Sequence, residues 1–572
     1  DAQPQNQYNL QEEQEVRRSK RTRRSALSSD YVYLQESEQN DPCLEDPITL
    51  KQALTSSANE QWLQAMKSEL NSMEKNKVWE LVQLPQGCRS IGCKWIFKTK
   101  KDSKGLIDRY KARLVAKGFT QQAGVDYNET FSPVSTKDSF RVMMALVAHF
   151  NLYLHQMDVK TAFLNGDLYE EIYMQQPEGF IQEGREDQVC KLRKSIYGLK
   201  QASRQWYLKF DEVVRSHGFS ESPVDECIYI KVSGRNFIFL ILYVDDILLA
   251  SKNLTLLHDT KVFLSKVFDM TNLGEASYVL GIEISRDRER GLLGLSQKGY
   301  IEKVLRRFNM ENCAGGDVPF SKGDKLSMEQ SPKTEQEKLE MVDKPYASLV
   351  GSLMYAQVCT RPDLAFAVSV LGRFQSNPGQ AHWVAAKKVL RYLQRTKSYI
   401  LVYRQVENLE LFGYADADLG GCVDSLKSTS AYVFLFGGGA VSWKSVKQTH
   451  TATSTMQSEY IACYEAASQA IWLKNFITSL RVVDSIERPV QIWNDNSAAV
   501  FFTKSNKRSS GTKHLKFKYL SVRENIRDGL VKFDHIGTHF MIADPLTKGL
   551  PNGVFHGHVR SMGLVSSFDR ED

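Results

Sequence analysis

The sequence predicts an α+β protein of several domains, and three observations carry that prediction. Two short apolar runs flank the adjacent acids Asp245 and Asp246, which is typical of two β-strands joined by a tight turn. Helical periodicity dominates residues 345–400. The last third has the order of three strands, a helix, and then further strands and helices. With 572 residues and 42% hydrophobic content, the chain can form roughly three to five domains, each with its own core.

The composition favours a soluble intracellular protein. The net charge of +7 permits a polyanionic partner without requiring one. The nine cysteines include no C-x-x-C pair and no Cys/His cluster at zinc spacing, so reduced thiols are expected. No signal peptide opens the chain, and the apolar stretch from Phe237 meets the acid pair too soon to span a membrane.

Residues 1–45 are polar and rich in Gln, Glu, Ser and Arg, which predicts a disordered basic linker or tail. The basic run over residues 17–24 could be a nucleic-acid arm or a nuclear import signal, and a solvated linker is an equal alternative. The start at Asp1, without Met, suggests a fragment of a longer protein.

A dense basic stretch covers residues 98–117, after a region of helical periodicity over residues 46–95. A run of charge is usually only a solvated face. Alternation over residues 110–115 instead places Lys111 and Arg113 on one face of a β-ribbon. Together with Lys100, these side chains are candidates to clamp a triphosphate or a template backbone.

Three acids in the first half suggest a metal site. Adjacent carboxylates repel by roughly 4 kcal/mol at about 4 Å, and a bridging divalent cation turns that repulsion into attraction. Oxygen ligands favour Mg²⁺ or Mn²⁺ over Zn²⁺. A bare Asp-Asp pair is more often an ordinary turn, and Asp158 alone would more often end or cap a strand. Together, Asp158, Asp245 and Asp246 supply the carboxylates that two metals need for attack by a 3′-hydroxyl and release of pyrophosphate.

Five segments resemble the reverse transcriptase of copia-type LTR retrotransposons in order and spacing: residues 109–119, 156–166, 176–180, 197–202 and 243–246. The resemblance extends over residues 60–550 and implies a right-hand polymerase of fingers, palm and thumb. It implies that Asp158, Asp245 and Asp246 are the metal-binding palm acids. It also implies that Phe163, five residues after the first acid, screens the sugar 2′ position.

The last third predicts a ribonuclease H-like α/β domain. The expected elements are strands over 410–414, 431–436 and 440–443, a helix over 458–480, a strand over 490–493, helices from 497 and around 514–527, a strand over 529–535 and a final helix near Ala543. Acids fall at the ends of these elements: Asp416, Glu459, Asp495 and Asp544. Glu459 precedes the buried alanine stripe of its helix, so it should face the sheet, and a shared metal is the economical explanation.

This region also resembles the copia-type family, through residues 414–418, 438–444, 458–460, 495–496, 512–514 and 543–548. Asp416 and Asp418 lie on one strand face, so periodicity does not choose between them, and Asp416 is preferred by its position in the motif. His514 is a candidate nuclease histidine, although a structural or RNA-contacting role is equally open.

The sequence therefore predicts the reverse transcriptase and RNase H portion of a copia-type LTR retrotransposon Pol polyprotein. The expected domains are fingers and palm over 46–305, thumb and helical connection over 306–404, an RNase H-like domain over 405–550 and a C-terminal tail over 551–572. The protein would copy element RNA into DNA and cut the RNA of the hybrid, with two Mg²⁺ or Mn²⁺ ions per active site. Alternatives are a decayed or host-adopted copy that only binds nucleic acid, and a polymerase that acts on DNA templates.

Expected partners follow from that function. They are an RNA template, a primer expected to be a tRNA, the RNA–DNA hybrid, dNTPs and the integrase of the same polyprotein, and no membrane is expected. Integrase and protease motifs are not found here, so those regions are expected upstream. The expected location is a cytoplasmic virus-like particle, with the nucleus as an alternative.

Overall fold

Two helices and two small sheets come first along the chain. The computed structural model describes residues 46–101, 107–504 and 513–568, so the predicted tail over 1–45 lies outside the described residues. Trp62, Met66 and Met73 recur at helical spacing and form the buried face of the second helix. The elements are α1 Leu50–Thr55, α2 Asn59–Lys75, β1 Trp79–Gln83, β2 Ser90–Ile91, β3 Cys93–Lys101 and β4 Ile107–Ala116.

A six-stranded antiparallel sheet, called the palm sheet here, forms the next part. Its elements and their neighbours are α3 Lys137–His149, β5 Tyr153–Val159, β6 Asp167–Met174, β7 Gln188–Lys194, α4 Ala202–Ser216, β8 Ser220–Glu221, β9 Ile228–Ser233, β10 Asn236–Tyr243, β11 Asp246–Ser251, α5 Leu254–Val267 and β12 Met270–Glu275. The palm sheet has the order β12-β5-β11-β10-β9-β8. The strands β1, β7, β6 and β2 form a separate sheet, and β3 pairs with β4.

A short antiparallel hairpin and a set of helices come next. The elements are β13 Tyr278–Val279, β14 Ile282–Asp287, β15 Leu292–Ser296, α6 Lys298–Arg307, α7 Glu335–Val342, α8 Tyr346–Cys359, α9 Ala365–Leu371, α10 Gln380–Arg395 and β16 Ile400–Arg404. The helices α8 to α10 agree with the helical scaffold expected over 345–400. Between α6 and α8 the chain also forms a 3-10 turn over Met328–Gln330 and the helix α7.

The last part contains a five-stranded sheet, called the RNase H-like sheet here. The elements are β17 Phe412–Ala417, β18 Thr429–Phe436, β19 Gly439–Lys447, α11 Thr455–Ser479, β20 Val490–Asn494, α12 Ser497–Lys504, α13 Lys513–Arg527, β21 Val531–His535, α14 Asn552–Ser561 and β22 Leu564–Val565. Its order is β19-β18-β17-β20-β21, with the first three strands antiparallel and β20 and β21 added in parallel. The fold class expected from the sequence is thereby confirmed.

Two expectations for the carboxyl-terminal region are wrong. No α-helix begins near Ala543 in the described chain: Asp544–Leu546 is a 3-10 turn, and α14 begins at Asn552, after Pro551. Residues 551–568 are not a tail, because β22 pairs with β16 and completes the sheet β13-β14-β15-β16-β22. The apolar side chains Phe555, Val559 and Leu564 drive this packing, since all are buried.

The apolar core does not follow the expected domain boundaries. One continuous core contains α3, one face of the palm sheet, the helices α8 to α10 and the RNase H-like sheet, while a second core joins the amino-terminal elements to the other palm face. The polymerase-like and RNase H-like parts therefore share buried surface rather than forming independent domains. Within the described ranges, no helix is long and apolar enough to cross a membrane.

Candidate active sites

The first candidate site is the hairpin between β10 and β11. Tyr243 pairs with Asp246, so Val244 and Asp245 form a two-residue loop. On its other edge β11 pairs with β5 in a register that places Asp246 directly opposite Asp158. The Val159 amide donates to the Asp245 carbonyl at 3.0 Å, which fixes the loop against the end of β5. This register brings Asp158 beside the adjacent pair Asp245 and Asp246, much later in the chain, at one end of the palm sheet.

The hairpin is held by residues that no sequence pattern singles out. Val244 has a φ of 59°, a left-handed conformation that is costly for a β-branched residue. The Trp206 indole N–H donates to the Val244 carbonyl at 2.6 Å. The Lys137 ammonium donates to the Tyr243 hydroxyl at 2.9 Å and lies 4.2 Å from the centre of that ring. These contacts stabilise a strained turn that aims the acids.

Electrostatics at this site favour a cation. Burial, followed by the charge of Asp245, raises the pKa of Asp246 to about 7, and Asp158 adds to this effect. The Gln156 side-chain amide donates to Asp246 Oδ1 at 2.8 Å and lowers that pKa in part. A divalent cation would offset the repulsion that the three acids share, and oxygen-only ligands suit Mg²⁺ or Mn²⁺.

Two of the proposed nucleotide-binding residues, Phe163 and Arg113, are connected through the Tyr197 ring. Phe163 lies in a 3-10 turn over Ala162–Asn165, is 6% exposed, and packs edge-on against Tyr197 with ring centres 5.1 Å apart. The Arg113 guanidinium lies 4.7 Å from the centre of the same Tyr197 ring. Arg113 and Lys111 also lie close enough to Glu69 to lower its pKa, against the larger effect of burial, which raises it.

These contacts show that Arg113 is a packed residue rather than a fully solvated one. Lys111 is half-buried on the same strand face. Lys100 lies on β3 opposite Arg109 and is half-buried. Phosphate binding by Lys100, Lys111 and Arg113 stays a prediction.

The second candidate site lies at one end of the RNase H-like sheet. Carboxylate oxygens of Asp416, Asp495 and Asp544 all lie within 4.8 Å of one another. Asp416 belongs to β17, Asp495 follows β20, and Asp544 opens the 3-10 turn after β21. Because β17 and β20 are parallel neighbours, their carboxyl-terminal ends meet at one edge and bring the acids together.

The structure separates Asp416 from Asp418. Asp416 is 1% exposed and belongs to the acid cluster. The Asp418 carboxylate accepts hydrogen bonds from the backbone amides of Thr429 and Gly421, so it fixes the loop beside the strand. The sequence left this choice to motif position, and the geometry agrees with Asp416.

Glu459 lies beside the cluster, in the first turns of α11. Ser454 caps this helix by accepting from the Gln457 amide, which explains why the helix begins there. The Asn494 side-chain amide donates to Glu459 Oε2 at 3.0 Å. Burial, followed by the charge of Asp416, raises the pKa of Glu459 to about 9, and burial with Asp544 raises that of Asp416 to about 7. Neutral or metal-bound carboxyl groups are therefore favoured here.

Two residues of this site were missed from the sequence. The Thr547 hydroxyl donates to Asp416 Oδ2, and the Lys548 ammonium lies 2.8 Å from Asp544 Oδ1. Both belong to the segment 543–548 whose resemblance was noted, and the signal available was their place three and four residues after Asp544 in that segment. Acidic neighbours raise the pKa of Lys548. The ammonium supplies part of the positive charge that the acids require.

The sequence predicts the histidine of this site less well than it predicts the acids. His514 lies at the start of α13, and its side chain is outside the described residues. His535 ends β21, and its Nε2 lies 3.1 Å from the Asp495 carbonyl oxygen. His535 thus contacts a member of the acid cluster.

A palm sheet with three acids at one end, joined to an RNase H-like sheet with four acids near one of its ends, is the architecture of a reverse transcriptase with an RNase H-like domain. Residues 76–322 match the family described as "Reverse transcriptase (RNA-dependent DNA polymerase)". The chain is 44% identical over 558 residues to the retrovirus-related Pol polyprotein from transposon TNT 1-94 of Nicotiana tabacum, covering 97% of this chain and 41% of that protein. It is 33% identical over 315 residues to the putative transposon Ty5-1 protein of Saccharomyces cerevisiae, covering 55% of this chain and 100% of that protein.

The chain belongs to the copia-type retrotransposon Pol polyproteins. It spans 41% of the tobacco relative, so activities of the whole polyprotein are not assigned to it by this similarity. Among solved structures, it overlaps the foamy viral protease-reverse transcriptase in complex with double-stranded DNA, with a TM-score of 0.45 and 12% identity over 83% of this chain and 69% of that chain. That overlap is too distant to add to the assignment.

Proposed function

We propose that the protein is an RNA-directed DNA polymerase with ribonuclease H activity. The observation that carries this proposal is the pairing of Asp158 with Asp246 beside the Asp245 turn, in a chain that also gathers Asp416, Asp495 and Asp544. Two separate carboxylate sites on one chain suit two phosphoryl-transfer reactions. The first would extend a primer on an RNA template, and the second would cut the RNA of the hybrid.

Each site would hold two Mg²⁺ or Mn²⁺ ions. Bound there, the ions would lower the pKa of the attacking hydroxyl or water and neutralise charge on the reacting phosphate. In the palm sheet, Gln156 would orient Asp246, and Trp206 and Lys137 would keep the turn in place. In the RNase H-like sheet, Thr547 and Asn494 would orient Asp416 and Glu459.

The dNTP would bind with its sugar beside Phe163. Its phosphates would contact Arg113, Lys111 and Lys100. Support comes from the contact chain Phe163, Tyr197 and Arg113, which connects the proposed sugar-screening ring to a cation. Phosphate contacts of this kind act on any base, because they carry no sequence information. A tRNA primer, the integrase of the same polyprotein and a cytoplasmic virus-like particle as the location belong to the same proposal, through family membership alone.

The test uses a hybrid of labelled RNA and a recessed, labelled DNA primer, with Mg²⁺ and dNTPs. Wild-type protein should extend the primer and cut the RNA. Asp158→Asn should abolish extension and keep cleavage, while Glu459→Gln should abolish cleavage and keep extension, because each removes one metal-binding charge. Asp259→Asn and Glu524→Gln, at exposed acids on α5 and α13, serve as matched controls that should keep both activities.

Other outcomes separate the alternatives. Wild-type binding of the hybrid without extension or cleavage would support a protein that only binds nucleic acid. Extension on DNA templates without hybrid cleavage would support a DNA-templated polymerase. Loss of both activities in folded Glu459→Gln would mean that the two sites are wrongly assigned.

A further inference from the structure

The palm helix α3 is buried on all sides. Every residue from Ser139 to Ala148 is buried, although a helix at a surface exposes one face. Thr136 caps the helix by accepting from the Ser139 amide. A Cβ placed on Gly437, in the turn between β18 and β19, would lie 3.3 Å from the Ala145 side chain. The helix therefore lies between the palm sheet and the RNase H-like sheet, in contact with both.

One buried cation on this helix joins three parts of the chain. Arg141 is 2% exposed, and its Nε donates to the Val441 carbonyl of β19 at 2.8 Å. Its Nη1 donates to the carbonyls of Val358 and Cys359 at the end of α8, at 2.5 and 3.1 Å. The guanidinium also lies 3.8 Å from the centre of the Trp443 ring of β19. A lysine could not make this set of contacts, because it lacks the planar fork of N–H donors that a guanidinium has.

The partner acid of Arg141 extends the contact to helix α11. Asp138 accepts from Arg141 Nη2 through one carboxylate oxygen. Its other oxygen accepts from the Ser442 hydroxyl at 2.6 Å and from the Gln469 side-chain amide at 3.0 Å. Gln469 belongs to α11, the helix that carries Glu459 near its start. Hydrogen bonds to a charged, partly buried acid are among the stronger and more directional ones.

The same amino-terminal end of α3 is also fixed to the polymerase site. Lys137, its first residue, donates to Tyr243, the residue before the Val244-Asp245 turn. Asp225 accepts from the Ser135 hydroxyl at 3.0 Å and from the Thr136 amide at 3.2 Å, which holds the segment entering the helix. Adjacent residues, Lys137 and Asp138, therefore contact the polymerase hairpin and the RNase H-like sheet.

From this arrangement we infer that Asp138 and Arg141, with Ser442 and Gln469, are positioning residues that set the distance between RNA cleavage and the primer end. The inference rests on the proposed function. Both sites act on one hybrid, so a rigid connection through α3 makes the position of the cut a fixed number of nucleotides from the primer terminus. Loosening the contact leaves both sets of acids intact and makes that number variable.

The test compares Ser442→Ala/Gln469→Ala with wild type. This double variant removes the two hydrogen bonds that join Asp138 to the RNase H-like part, while the contacts of Arg141 with Val441 and Trp443 remain. It does not leave Arg141 beside a missing acid, which Asp138→Ala would do at the risk of unfolding. Ser468→Ala, an exposed neighbour of Gln469 on α11, is the matched control. Each protein is given a recessed-primer hybrid with end-labelled RNA, and a second hybrid without a primer end.

The expected result is a change in the position of RNA cleavage and not in its rate. Wild type and Ser468→Ala should give one dominant cut at a constant distance from the primer end. The double variant should spread the cut over neighbouring positions, while primer extension and cleavage of the end-free hybrid stay at the wild-type rate. A merely structural role would lower all rates together and leave the cut position unchanged.

Unchanged cut positions in the folded double variant would overturn the inference while the proposed function stands. A wild-type protein that cuts without regard to the primer end would overturn it as well. If wild type neither extends nor cuts, the proposed function fails, and the inference fails with it.

Discussion

Asp158 and Asp246 lie directly opposite each other on the neighbouring antiparallel strands β5 and β11. Burial, followed by the charge of the neighbouring Asp245, raises the pKa of Asp246, and Asp158 on the paired strand makes a smaller contribution. In the RNase H-like sheet, the raised pKa values of Asp416 and Glu459 have the same origin. Both sites therefore bind protons when no cation is present.

Metal binding should stabilise the protein more at high pH than at low pH. The pKa is about 7 for Asp246 and Asp416 and about 9 for Glu459, against ordinary values of 3.8, 3.8 and 4.5. Between the ordinary and the raised values the native state binds more protons than the unfolded state, so these groups lower stability as pH rises through that window. Mg²⁺ should raise the melting temperature little at about pH 6 and more at about pH 8.5, because it must displace those protons.

Thermal unfolding with Mg²⁺ or with chelator, at both pH values, measures this effect. The variant Asp246→Asn/Glu459→Gln should lose most of the pH-dependent gain. An equal gain at both pH values would show that the acids do not exchange protons for metal.

Thr547→Val should weaken the nuclease selectively. Valine keeps the volume of threonine but removes the hydroxyl that donates to Asp416. Loss of such a partner typically costs ~10- to 100-fold in metal affinity. Mg²⁺ titration of RNA cleavage should show a shift of that size with extension unchanged. Thr538→Val, at an exposed threonine nearby, is the control and should behave as wild type. An unshifted Mg²⁺ titration for Thr547→Val would show that the Thr547 hydroxyl does not support metal binding.

Trp206→Phe should slow primer extension. Phenylalanine keeps an aromatic ring but cannot donate to the Val244 carbonyl, so the strained turn loses a restraint. A neutral hydrogen bond contributes about 1 kcal/mol, so kcat should fall by about five-fold. Single-turnover extension measures this, and RNA cleavage should not change. Trp79→Phe, on β1, is the control, and equal slowing in both variants would point to a general loss of packing.

Phe163→Ala should relax discrimination between deoxyribonucleotides and ribonucleotides. The ring is held by its edge-on contact with Tyr197, so it can exclude a 2′-hydroxyl by overlap rather than by hydrogen bonding. The ratio of kcat/KM for dNTP over rNTP should fall, mainly because rNTP use rises. Tyr197→Phe keeps the supporting ring and should preserve the ratio. An unchanged ratio in Phe163→Ala would exclude the steric role.

Arg113→Gln should weaken nucleotide binding equally for all four dNTPs. If the guanidinium contacts phosphate, its loss removes a charged hydrogen bond, and KM should rise by roughly ten-fold or more. Lys94→Gln, at an exposed lysine on the paired strand β3, should leave KM unchanged. A lower melting temperature with unchanged KM would assign Arg113 to packing against Tyr197 and Glu69 instead.

Much of this architecture was predictable, because local patterns carry it. Short continuous apolar runs identify β10 and β11, and helical spacing identifies α2 and α11. The expected helix over 458–480 agrees with Thr455–Ser479, and the expected strand over 490–493 agrees with Val490–Asn494. The acids lie at the ends of those elements, so their approach to one another followed from the expected strand order.

Other features depend on contacts between distant segments. Position in a motif could favour Asp416 over Asp418, but only the hydrogen bonds of Asp418 to Thr429 and Gly421 show what the second acid does. The strand β22 was hidden in a segment interpreted as a tail, because two residues of pairing leave no periodic pattern. Side-chain partners such as Trp206 and Lys137 leave no signal of spacing either.

The sequence by itself determined the order of the elements, the acids that end them and the membership of the family, because periodicity and motif spacing are properties of neighbours along the chain. Only the tertiary structure decided that Arg141 of the palm helix donates to Val441 of β19, some 300 residues away. Such a contact depends on how two sheets pack on one helix and on burial of a charge between them. For that reason the two expected domains share a core, although the sequence predicted them as separate.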